Sequence, residues 1–165
     1  MVTQTIEINP LQWKLLGYGK FRAAQQLHRR GNQFLIAAIH IDEQYSGDGY
    51  VVRHLLCQGL ELVLKALLLL KDYDKYEPLL HKPKHFGHNL MALTNEVCDL
   101  YEVKLRAKHL ADLARLNHFF QAHLFRYAHH MEMDFSPADA FPIRQLRFRI
   151  LSLLNLADPL FRPKA

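Results

Sequence analysis

The chain has 165 residues, the size of one ordinary domain, and half of them are apolar, which supplies a core and argues against disorder. Charged residues make up 22% with a formal net charge of +5, a mildly basic balance that suits anionic partners such as RNA. With only 7 Gly and 7 Pro among many good helix formers, long helices are favoured over a fold of many short strands.

Residues 1–9 are polar apart from Val2, Ile6 and Ile8 and lack a basic head, which is not the pattern of a secretory leader. Their alternation suggests a short extended arm. Between residues 10 and 44, apolar side chains recur at helical spacing, first Leu11, Leu15, Tyr18 and Phe21, then Phe34, Ala37, Ala38 and Ile41. This reads as one long helix or two joined near Gly31-Asn32, where Gly31 after Arg29-Arg30 would make a good C-cap. Ser46-Gly47-Asp48-Gly49 is the clearest turn.

A helix is expected over residues 50–71. Its most apolar part, residues 59–70, falls short of the about 20 residues that a membrane span needs. Glu61 and Lys65 also interrupt it, so it is a buried core helix rather than a span. His54, Gln58, Glu61 and Lys65 stand at i, i+4, i+7 and i+11 and form one narrow polar stripe. On a helix otherwise apolar all round, that stripe is either a wet line or the lining of a cleft or interface.

A loop over residues 72–87 follows, containing Pro78, Pro83 and room for a short helical turn at residues 72–80. Next come a helix over residues 88–101 and a longer amphipathic one over 104–129 with the stripe Leu113, Leu116, Phe120, Leu124 and Tyr127. After a boundary at Ser136-Pro137, a last helix starts near Pro142 and uses Ile143, Leu146, Ile150, Leu153 and Leu154. Without repeats or an interdomain linker, residues 10–160 read as one all-α domain. The expected architecture is an antiparallel up-and-down bundle of four to six helices.

The sequence lacks a P-loop, GxGxxG, HExxH and GxSxG, which argues against common NTPases, dinucleotide enzymes and zinc proteases, and no cofactor is expected. Cys57 and Cys98 lie in apolar helical stretches without a CxxC partner, as expected for buried thiols in a reducing cytosol. His81, His85 and His88 cluster, yet no acid or Cys completes a ligand set and Lys82 and Lys84 would repel a cation. A solvated basic loop is expected there, and no metal. His123, Arg126 and His130 stand at i, i+3 and i+7, one face of the expected long helix. Arg126 can hold a phosphate while a neutral His takes a proton from a ribose 2′-hydroxyl; the alternative is an exposed polar face. Arg144, Arg147 and Arg149 add a basic cluster on the last helix.

Three short motifs in order carry a family resemblance. The first is Gly59-Leu60-Glu61-Leu62-Val63-Leu64-Lys65-Ala66-Leu67, with its Glu-x-x-x-Lys pair. The second is Gly87-His88-Asn89-Leu90, and the third Phe125-Arg126-Tyr127. This series resembles the HEPN family (higher eukaryotes and prokaryotes nucleotide-binding) across about half the chain, with Asn89 where the family usually has Asp. The resemblance implies an antiparallel helical bundle, often dimeric, and one of two functions. Some members are metal-independent ribonucleases of toxin or defence type, marked by Arg, four to six residues, then His. Others bind a nucleotide or RNA, or partner a small nucleotidyltransferase. Here the histidines after Arg126 come too early, at His129 and His130, and the one literal match, Arg22 to His28, lies on the first helix.

The expectation is therefore a non-catalytic, cytoplasmic, dimeric binding module with Glu61, Lys65, His88, Arg126 and Tyr127 lining a shared cleft. The alternatives are a ribonuclease using Arg126 with His123 or His130, and a purely structural dimerisation or adaptor protein.

Overall fold

A computed structural model describes residues 17–44 and 49–126. They form α1 (Tyr18–Gln44), α2 (Gly49–Lys71), α3 (Tyr73–Tyr76), α4 (Leu90–Leu100) and α5 (Ala107–Gln121). Short 3-10 turns occupy Glu77–Leu79 and Leu124–Arg126, and no strand occurs among the described residues. The fold is an all-α helical bundle. None of these helices is long and apolar enough to cross a membrane. The expected N-terminal arm, most of the 46–49 turn and the Pro142 helix with its arginines lie outside the described residues.

The central pair is α1 against α2. The chain passes from one to the other in four residues, so they run antiparallel. α1 is a single helix through Gly31. Besides Gln25, its buried positions are Phe21, Ala24, His28, Gly31, Leu35 and Ala38, alternating steps of three and four. That is the spacing of a coiled-coil seam, with a small residue at every seventh place. Gly31 is there for contact rather than for ending a helix. A Cβ on it would lie 2.8 Å from the Gly59 carbonyl and 2.7 Å from a Val63 methyl, and one on Gly59 would lie 2.9 Å from the Gly31 carbonyl. The backbones approach so closely that only glycine fits on either side.

This seam corrects part of the apolar pattern expected for α1. Phe34 and Ala37 face outward, and Leu35 fills the core one residue on. His28 and Gly31 supply seam positions that an apolar count passes over.

The remaining elements cover the rest of α2. α3 is capped by Asp72, whose carboxylate accepts the Lys75 amide, and Tyr76 plugs the core beneath it while its hydroxyl donates to Glu96 on α4. The C-terminal end of α4 closes with Glu102 in the left-handed region (φ 54°) and a hydrogen bond from the Val103 amide to the Cys98 carbonyl, a Schellman closure. Tyr101 at that closure donates its hydroxyl to the Leu67 carbonyl of α2 at 2.9 Å.

α5 is shorter than its apolar stripe predicts. It stops at Gln121, the Ala122 amide bonding back to the His118 carbonyl. His123 then takes a left-handed conformation (φ 57°), which redirects the chain into the 3-10 turn. Leu113, Leu116 and Phe120 are buried as the stripe predicts, whereas Leu124 belongs to the turn and Tyr127 lies outside the described residues.

Candidate functional site

Gly59 faces α1, and Glu61, two residues on, projects from nearly the opposite side of α2. The polar stripe therefore looks away from the tight helix pair. Its Glu61 and Lys65 do not meet water: their side chains are only 3% and 8% exposed. Burying either charge alone would be costly, and each is answered by the other. Lys65 Nζ donates to Glu61 Oε1 at 2.6 Å, across one helical turn. The second carboxylate oxygen, Oε2, lies 2.9 Å from His88 Nδ1.

His88 stands just before α4, and the local chain explains its placement. Asn89 is the N-cap, its side chain accepting the Ala92 amide at 3.0 Å. The helix start is then tied to α5: the Leu90 amide donates to Asn117 Oδ1 at 2.7 Å, and Asn117 Nδ2 donates to Gln121. Before it, the chain folds back so that Pro83 lies against Gly87, whose φ is +37°. Between these anchors the His88 side chain is 46% exposed, with Nδ1 on the buried carboxylate. An ionised carboxylate accepts only, so the shared proton sits on Nδ1 and Nε2 is left as the outward nitrogen.

Aromatic contacts complete the site. His88 meets Phe120 of α5 edge-on at 5.8 Å between ring centroids and His123 at 5.4 Å. His54, at the head of the stripe, also packs on Phe120, at 6.1 Å, so the Phe120 ring meets two imidazoles. Cys57, one turn before Glu61, stays a thiol: burial, then the nearby carboxylate, push it far above its ordinary range.

Of the residues expected to line the cleft, Glu61, Lys65 and His88 are brought into one hydrogen-bonded group. Arg126 closes the 3-10 turn, and that turn packs against α2. Tyr127 and His130 lie outside the described residues. His123 and Arg126 do not share the helical face that their spacing suggested, because α5 ends before both. The turn that breaks that face delivers His123 to His88 instead.

Sequence reasoning overlooked Phe120 as a site residue and Asn117 as the tie between helices. The available signal for Asn117 was a lone amide set between the apolar positions Leu116 and Phe120 on α5. His81 and His85 are exposed, as are Lys82 and Lys84. No group of three or more His, Cys, Asp or Glu among the described residues is placed to hold a metal ion.

The class defined by fold and site is an all-α bundle with a buried ion pair oriented toward a surface imidazole. No family model matches the chain, and neither does any curated protein or solved structure.

Proposed function

We propose that this protein is a HEPN-like helical binding module that acts as a homodimer. It engages a nucleotide, RNA or a partner protein such as a nucleotidyltransferase, without catalysis of its own. One observation carries the reading. The Glu-x-x-x-Lys pair and the Gly-His-Asn-Leu segment, separated by 27 residues, meet through the Glu61–His88 hydrogen bond. A pair of charges kept under cover is weak evidence for stability, since apolar residues of the same volume do at least as well. An ion pair that also fixes the tautomer of a half-exposed imidazole is better explained by recognition.

The test is fluorescence anisotropy with a labelled oligoadenylate RNA and a labelled ATP analogue, together with light scattering. Saturable binding of one probe, weakened in His88→Ala, and a mass twice that of the chain are expected. If neither probe binds, the nucleotide and RNA reading fails and a structural adaptor is left. Metal-independent RNA cleavage that disappears in Arg126→Ala would instead establish the ribonuclease alternative.

A further inference from the structure

We propose that His88 and His123 together form a phosphate-binding mouth, so that the group recognised at this site is a phosphoryl group. The proposal rests on the ligand-binding reading above and names the chemistry of the ligand.

Four observations converge. First, Glu61 holds His88 by Nδ1, so a protonated ring presents Nε2–H outward as a charge-assisted donor in a fixed direction. Second, the His123 ring stands 5.4 Å from that of His88, a separation at which two imidazoles reach different oxygens of one phosphoryl group. His123 is brought there by its left-handed backbone, three residues after Phe120 and just past the end of α5, a conformation uncommon outside glycine.

Third, the local charge favours an anion. Residues 81–90 contain Lys82, Lys84, His81, His85 and His88 and no acid, and the first four are exposed on the turn that leads into His88. The carboxylate that touches the site, Glu61, is already matched by Lys65 at 2.6 Å, so it orients without repelling. Fourth, two amides at the start of α4 are already committed, Leu90 to Asn117 and Ala92 to Asn89, which leaves the two rings as the main donors.

The chemistry is shared by a terminal phosphate monoester and by the diester of an RNA backbone. Calorimetric titration of the full chain with inorganic phosphate, AMP, the dinucleoside monophosphate ApA and adenosine separates them. Phosphate and at least one nucleotide are expected to bind, and adenosine not. His88→Ala and His123→Asn, the latter chosen because Asn tolerates a left-handed backbone, should each weaken phosphate binding about tenfold, the loss of one charge-assisted hydrogen bond. Both should melt within a few degrees of the parent chain. Tighter binding of AMP than of ApA supports the proposal with a monoester as the ligand, and the reverse order supports it with a diester. Equal binding of AMP and adenosine, or phosphate affinity unchanged in both variants, overturns the phosphate mouth while leaving the ligand-binding reading intact. If the oligoadenylate and ATP probes also fail to bind, both fall.

Discussion

Glu61 Oε2 and His88 Nδ1 are 2.9 Å apart, and through that bond a carboxylate in the core dictates which nitrogen a surface histidine turns outward. The same carboxylate pairs with Lys65, whose side chain is buried as well. Removing the charge of Glu61 therefore acts twice, on the core and on the site. Glu61→Gln leaves Lys65 without its counter-charge and should cost about 3–5 kcal/mol in urea unfolding. The joint replacement Glu61→Leu with Lys65→Met should recover most of that, while leaving His88 without its anchor. A loss below about 0.5 kcal/mol in the single variant, the scale of an ordinary surface substitution, would mean that the pair is not buried in solution.

The contact of Gly31 with Gly59 gives the second prediction. Alanine is the better helix former by about 1 kcal/mol, so a glycine in mid-helix that served only the helix would be improved by the change. Here a Cβ at either position meets the opposite backbone carbonyl below 3.0 Å, an atom that cannot swing aside. Gly31→Ala and Gly59→Ala should each destabilise by about 1–3 kcal/mol. A rise in melting temperature for either would show that the two helices are not in that contact.

These two relationships also mark what was legible in the chain. The apolar periodicity of α2 and the interruption by Glu61 and Lys65 were enough to identify the central helix and its polar stripe, because burial on most sides leaves a strong pattern. The partner of the stripe was not legible, since a hydrogen bond across 27 residues has no local signature. On α1, Gly31 read equally well as a cap, and the seam it belongs to runs through His28, so counting apolar residues selected Phe34 and Ala37 in place of Leu35. The end of α5 carried no glycine or proline to announce it. His123 stops the helix by a backbone conformation, and the apolar stripe reads past such a break because Leu124 remains partly covered.

The thiols supply a chemical check on the packing. Cys57 is buried and Cys98 half-buried, and neither is in a disulfide. Burial raises both above the ordinary thiol range, Cys57 by far the more, with Glu61 adding to its rise and Asp99 to that of Cys98. Since the thiolate is the reactive form, iodoacetamide near neutral pH should modify Cys98 slowly and Cys57 only on unfolding. Peptide mass mapping of the native protein reads this directly. Modification of Cys57 first, without denaturant, would contradict its burial in the core.

Tyr101 provides the pH dependence. Its hydroxyl donates to the Leu67 carbonyl, and burial, with a smaller contribution from Tyr76, pushes its pKa up to about 12 from an ordinary 10. The folded chain therefore holds that proton more tightly than the unfolded one. Its contribution to stability is complete below pH 10 and is lost as the pH rises from about 10 through 12. Unfolding stability should fall across that window as tyrosinate absorbance grows. Tyr101→Phe should start less stable by about 1 kcal/mol, the worth of one hydrogen bond, and fall less steeply over the same range. Tyr76, likewise raised by burial and by its bond to Glu96, keeps part of the slope in the variant. Parallel curves for parent and variant would show that Tyr101 is not closed against α2.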